Sequence, residues 1–314
     1  MTTPVLPKTL TRRSVFQSAS ILGAASMIGA PLLPTMLQGE TRLGTTVRDR
    51  FWLWSHVAGA YSNQYNLVGG SLITPVEAAH YLTIPNVFMV EYNGEPKPEA
   101  LEQFSVPFRS LQQVAWSIVA PGADGTPADV REKIFDFAFN TPEITGLVMD
   151  DFFVHRKRFA PGQVAALSID ELKDVRKSLT RGNKRLDLWA VLYAHQVNSP
   201  AFAAMAPYLQ LCDIIQIWPW YYGDEISNME KTFAKVDELV PGKKKALGSF
   251  MWNFGKKEPL PLSMVEEQYE LGLKWLRSGK IESLIFGASW LCDRKIEAVG
   301  FTRDWIRKVG SQKL

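Results

Sequence analysis

Eight short, nearly unbroken apolar runs recur along this chain, and a helical segment or a loop long enough to hold one follows each. They are "RFWLWSHVAG" (Arg50–Gly59), "NVFMVEYNG" (Asn86–Gly94), "QVAWSIVAPG" (Gln113–Gly122) and "ITGLVMDDFF" (Ile144–Phe153). "LDLWAVLYAHQ" (Leu186–Gln196), "CDIIQIWPWYY" (Cys212–Tyr222), "KKALGSFMWNFG" (Lys244–Gly255) and "IESLIFGASW" (Ile281–Trp290) complete the series. Strands that are apolar on both faces are covered on both faces, as parallel strands are. Eight of them alternating with helices predict an α/β fold, a single (β/α)8 TIM barrel over residues 48–314. A doubly wound sheet is the rival, but "SHVAGAYSNQYN" after the first run has no GxGxxG phosphate loop. No internal repeat, low-complexity stretch or linker divides this region.

The intervening segments carry helix start and stop signals. "TPVEAAHYL" and "TPADVREKIFDFAFN" open on Thr-Pro, and "SIDELKDVRKSLTRG" opens on a Ser cap with Glu171 in capping-box position and is expected to end at Gly182. "SNMEKTFAKVDELV" and "SMVEEQYELGLKWLRSG" start on serine. "RKIEAVGFTRDWIRKVG" supplies a last helix, expected to break at Gly300.

The N-terminal residues read differently. "TRRSVFQ" (Thr11–Gln17) precedes the apolar, small-residue stretch "SASILGAASMIGAPLLP", so residues 1–34 are expected to be an export signal of twin-arginine type. That stretch is short and Gly/Ala-rich for a bilayer span. A periplasmic or extracellular location follows as an expectation. Without Lys8, Arg12 and Arg13 the 35 basic residues fall to 32, the number of acidic ones, which argues against nucleic acid as a partner. The two cysteines, Cys212 and Cys292, fall at opposite ends of the strand scheme and are expected to be free thiols.

A TIM barrel keeps its active site at the C-terminal ends of its strands. The first four runs end on His56, on Glu91 and Tyr92, on Trp116, and on Asp150 with Asp151. The last four bring Tyr193 and His195, then Gln216, Trp218 and Trp220, then Trp252 and Asn253, then Trp290. These are the candidate site residues, with the aromatics as sugar-stacking surfaces. Each has a structural alternative: a histidine capping a strand end, a tryptophan packing under a loop, an acid paired with arginine. No HxH, HExxH or Cys/His cluster suggests a transition metal, no cofactor is expected, and no serine sits in a G-x-S-x-G elbow.

The pair Asp150–Asp151 stands apart. Carboxylates about 5 Å apart repel by roughly 3 kcal/mol at an effective dielectric near 20, and burial beside Met149, Phe152 and Phe153 adds to that cost. Adjacent strand residues point to opposite sides, so only one aspartate should enter the barrel mouth unless the strand turns between them. A carboxylic acid beside a carboxylate suits glycosidic cleavage, in which one group protonates the leaving oxygen and the other steadies positive charge at the sugar. Glu91 is the candidate second acid, with Asp224 and Glu225 in the sixth loop as others. The structural alternative makes Asp151 a cap for loop amides and pairs Asp150 with Arg156 or Arg158.

The segment "VAWSIVAPG…IFDFAFNTPEITGLVMDDFF" resembles the corresponding part of TIM-barrel glycoside hydrolases, loosely the O-GlcNAcase-like and chitinase-like families. The O-GlcNAcase-like pattern of two consecutive aspartates implies that Asp150 orients the substrate's acetamido group and Asp151 is the general acid/base. The chitinase-like pattern would place its glutamate where Phe152 stands. Together these readings make a glycoside hydrolase acting on a poly- or oligosaccharide the expectation. The rivals are a lyase or isomerase with His195 or Tyr193 as base and Mg²⁺ or Ca²⁺ at the aspartates, and a non-catalytic glycan-binding barrel.

Overall fold

A computed structural model describes residues 46–119, 126–153, 162–221 and 223–314. The expected export signal, His155, Arg156 and Arg158 lie outside the described residues. Eight parallel strands close into a barrel in which each strand pairs with its neighbours in sequence, and the first pairs with the last. The strands are β1 (Phe51–Ser55), β2 (Asn86–Met89), β3 (Gln113–Val119), β4 (Ile144–Met149), β5 (Asp187–Tyr193), β6 (Ile214–Trp218), β7 (Lys244–Phe250) and β8 (Ser283–Gly287). Helices α1 (Pro75–Leu82), α2 (Leu101–Ser105), α3 (Ala128–Asn140), α4 (Ile169–Ser178), α5 (Phe202–Leu209), α6 (Met229–Leu239), α7 (Leu262–Arg277) and α8 (Glu297–Val309) follow them in turn. The protein is a TIM barrel, as the run of apolar segments predicts.

Strand periodicity sorts the aromatic side chains. Trp52, Phe88 and Trp189 meet inside the barrel with ring centroids 4.6 to 5.3 Å apart, Trp52 reaching across from β1 to β5. The next layer up is Trp54 against Trp218, at 5.3 Å. Glycines make room for these rings: a Cβ on Gly146 would stand 2.8 Å from the Trp189 indole nitrogen, and one on Gly248 would overlap the Trp218 ring. Residues of the other parity pack outward. Phe51 and Phe286 lie under Trp305 of α8, and Trp116 lies under Phe104, Phe108 and Phe137.

The joint between β1 and β8 is held at the lower rim by the residues flanking the barrel. Val47 donates to the Gln312 carbonyl, Arg48 donates to Gly310, and Arg50 pairs with Glu282 at 3.2 Å.

Helix boundaries follow the caps only in part. Thr74 and Ser168 each form a full capping box, with Glu77 and Glu171 respectively. Ser168→Ala is expected to cost about 1 kcal/mol of stability, read as a lower denaturation midpoint; an unchanged midpoint refutes it. The helix after Ser168 stops at Ser178 rather than at Gly182, because Gly182 (φ +58°) turns a small hairpin pairing Thr180–Arg181 with Lys184–Arg185. The last helix runs unbroken through Gly300, since the buried stripe of Ala298, Val299, Thr302 and Trp305 outweighs about 1 kcal/mol of glycine cost. Cys212 and Cys292 are both buried and unbridged.

Candidate active site

At the C-terminal mouth lies a cavity of about 630 Å³ with acid on one side and aromatic rings around the rest. On β4 the inward parity that includes Gly146 carries through to Asp150. Asp151 should then point away, but β4 has already ended at Met149, and Asp151 takes a left-handed backbone (φ +48°). Asparagine and aspartate tolerate that region better than most residues. The turn brings both aspartates to the cavity. Asp150 Oδ1 accepts the backbone N–H of Asp151 at 2.9 Å, and the Tyr193 hydroxyl donates to Asp151 Oδ1 at 2.9 Å. Asp150 is the more deeply buried, at 5% exposure.

Gln196 fixes this acid loop to β5. Its amide nitrogen donates to the Phe153 carbonyl at 3.1 Å, while its Oε1 accepts the Tyr193 N–H at 2.9 Å. Burial, then Asp151 and Asp150, hold the Tyr193 phenol well above its ordinary pKa. Burial followed by Asp150 does the same to Tyr61. Both phenols are therefore held toward their protonated form, and that of Tyr193 donates to Asp151.

Of the residues singled out from sequence, His56, Tyr92, Tyr193, His195, Trp218, Trp220 and Trp290 line the cavity with the two aspartates. Glu91 does not: its parity is opposite to that of Tyr92, and its Oε1 instead accepts the Gly94 N–H at 2.7 Å in the following turn. Trp116 faces outward into the helical layer. Gln216 lies one layer too deep, beneath Trp218, whose indole donates to its Oε1 at 3.2 Å. Trp252 supports the loop after β1 by donating to the Tyr65 carbonyl, and Asn253 shapes its own loop by accepting the Lys256 N–H.

His56 lies under Tyr61 and Tyr92, edge to face, with neither ring nitrogen hydrogen-bonded among the described residues. Burial pulls it down to about 3, so it is a neutral imidazole. His195 stacks on Tyr193 at 5.5 Å, and its Nδ1 stands 3.8 Å from Glu225 Oε1. Burial pushes Glu225 up to about 6, against the pull of backbone N–H groups led by that of Tyr221. The unfolded chain loses this proton near 4.5 and the folded one near 6, so the folded state binds more protons between those values. Stability is therefore lost as pH rises through this window. Glu225→Gln is expected to remove that loss, so its Tm relative to the unmodified protein climbs between about pH 4 and pH 7. A difference that stays flat across this range refutes the expectation.

Sequence reasoning missed Trp54, Tyr61, Tyr65 and Phe254, all of which line the cavity. Trp54 reads as ordinary strand core. Tyr61 and Tyr65 sit in the β1–α1 loop and reach the site through left-handed backbone at φ +53° and +54°. The repeated Tyr-x-x-x-Tyr between Gly59 and Asn66 was the available signal. Among the described residues no three His, Cys, Asp or Glu side chains converge as metal ligands.

Fold and site together define a TIM barrel with a paired-carboxylate, aromatic-walled mouth. No protein-family model matches the chain, and no curated protein is similar to it in sequence. Solved structures share its fold at low identity. One, provisionally assigned as an α-L-fucosidase from Bacteroides thetaiotaomicron, aligns at a TM-score of 0.51 and 9% identity over 75% of this chain and 87% of that one. A tamarind chitinase-like lectin aligns at 0.50 and 12% identity, over 80% and 98% of the two chains. The glycoside hydrolase domain of PgaB (BpsB) from Bordetella bronchiseptica aligns at 0.48 and 12%, over 84% and 99%.

Proposed function

We propose that this protein is a carbohydrate-active barrel of glycoside hydrolase type, cleaving a glycosidic bond at Asp150 and Asp151. The observation that carries the reading is the left-handed turn at Asp151, which delivers two adjacent carboxyl groups to one aromatic cavity. A glycine-like backbone conformation at a non-glycine residue persists where its surroundings enforce it, and such strain clusters at functional sites. Here the turn holds both acids beside each other, with Tyr193 and Gln196 fixing them.

In this reading Asp151, the more exposed of the two and oriented by the Tyr193 hydroxyl, protonates the leaving oxygen as the bond to the anomeric carbon breaks. Asp150, held by the Asp151 N–H, orients the sugar and steadies the positive charge that develops there. Water then adds its hydroxide to the anomeric carbon and returns the proton to Asp151. Trp220 and the tyrosines supply flat apolar faces for sugar rings, and Trp290 backs Tyr61 and Tyr65 from beneath.

The test is incubation of the protein with a panel of polysaccharides and aryl glycosides, with products resolved by mass. Hydrolysis products lost on substituting either aspartate support the reading. Products carrying a new double bond would make the barrel a lyase instead, and saturable binding without any product would make it a glycan-binding protein.

A further inference from the structure

The β1–α1 loop does more than wall the acid cavity. Its outer side forms a second hollow of about 620 Å³, bounded by Asn63, Asn66, Val68 and Lys257, and it shares Gln64 and Tyr65 with the acid cavity. The two hollows thus adjoin one another at Gln64 and Tyr65.

This shelf is held in place from several directions. Asn63 Oδ1 accepts the Gly69 N–H at 2.8 Å, Gln64 Nε2 donates to the Tyr92 hydroxyl at 2.7 Å, and Asn66 Nδ2 donates to the Lys257 carbonyl at 3.0 Å. Arg294 donates to the Val68 and Gly69 carbonyls, and Asp293 accepts the N–H groups of Leu72 and Ile73. Leu67 is buried as an apolar anchor, while Val68 is 93% exposed.

Each of the three amides spends one end on these bonds, Asn63 within the loop, Gln64 on Tyr92 and Asn66 on Lys257. The other ends, Asn63 Nδ2, Gln64 Oε1 and Asn66 Oδ1, have no hydrogen-bond partner among the described residues, and the Lys257 ammonium has no carboxylate partner among them. A fixed shelf therefore presents donors, acceptors and the exposed apolar side chain of Val68, with Tyr65 at its border to the acid cavity. That is the chemistry of a sugar subsite: hydroxyl groups meet the amides and the ammonium, and the apolar face of the ring meets Tyr65 and Val68.

We propose that this shelf is an additional subsite for further sugar units of the chain whose cleaved bond lies at Asp150 and Asp151, so that the substrate is an oligo- or polysaccharide rather than a small glycoside. The inference rests on the glycoside hydrolase reading for the position of the bond, but the shelf is tested by binding alone. Multiple subsites make affinity rise with ligand length until the shelf is filled.

The experiment is calorimetric titration of the Asp151→Asn protein, in which turnover is slowed, with chito- and cello-oligosaccharides as dimers, tetramers and hexamers. Affinity is expected to rise at least tenfold from dimer to hexamer in one of the two series. In an Asp151→Asn protein that also carries Val68→Asp and Lys257→Asn, the ratio of hexamer to dimer affinity should fall at least fivefold. Asparagine suits the left-handed backbone of Lys257 (φ +59°), and Val68 is exposed, so this variant keeps the fold; its Tm is checked alongside. Length-independent affinity, absence of binding in both series, or a ratio that the variant leaves intact overturns the proposal. Loss of the catalytic reading has a separate signature, namely no hydrolysis by the unmodified protein.

Discussion

Asp151→Asn is expected to lower glycan turnover by about 10²- to 10⁴-fold, the range that general acid–base catalysis supplies. The substitution isolates chemistry from structure. Asparagine tolerates the left-handed turn, and its side-chain oxygen can still accept the Tyr193 hydroxyl in place of Asp151 Oδ1. What is removed is the carboxyl group's charge and its ability to hold and release a proton. Asp150→Asn likewise keeps an acceptor for the Asp151 N–H while deleting the charge that steadies the sugar. Turnover of the panel substrate and the denaturation midpoint are to be measured on the same preparations. Either variant keeping full turnover with a normal midpoint sinks the assignment of these two acids.

Gly248→Ala is expected to destabilise the protein by about 1–3 kcal/mol, and Gly248→Val by more, because any Cβ there enters the ring of Trp218. That ring has little room to move. It meets Trp54 at 5.3 Å and Phe250 at 5.0 Å, its nitrogen is hydrogen-bonded to Gln216, and it reaches Gly287 of β8. Since Trp218 lines the cavity, the same change should also weaken ligand binding. Gly300→Ala is the control: nothing stands within 4 Å of the added carbon, and alanine gains about 0.5–1 kcal/mol in a helix interior. Urea denaturation of the three variants decides the matter, and a neutral Gly248→Ala would mean that Trp218 can be displaced without cost.

The barrel was legible because burial on both faces writes each strand as an apolar run, and that signal survives whatever the loops do. Cavity residues were legible where strand parity carries into the mouth, as for His56, Tyr92 and Tyr193. Glu91 and Trp116 show the limit, since one residue of register decides between cavity and helical layer, and composition alone does not reveal register. The β1–α1 loop was opaque for another reason. Tyr61 and Tyr65 reach the site through left-handed backbone held by partners such as Arg294, more than two hundred residues further along the chain. No local pattern encodes a contact of that range.

A closed wall of eight strands has one joint that no connecting loop spans, between β1 and β8. At the lower rim Val47 and Arg48 fasten it to Gln312 and Gly310; at the upper rim Asp293 and Arg294 fasten it through the loop that carries Tyr61 and Tyr65. At the upper rim the clasp of the hoop and the jaw of the site are therefore made of the same bonds. The aromatic wall thus stands at the seam, while the two acids stand on the far side of the ring.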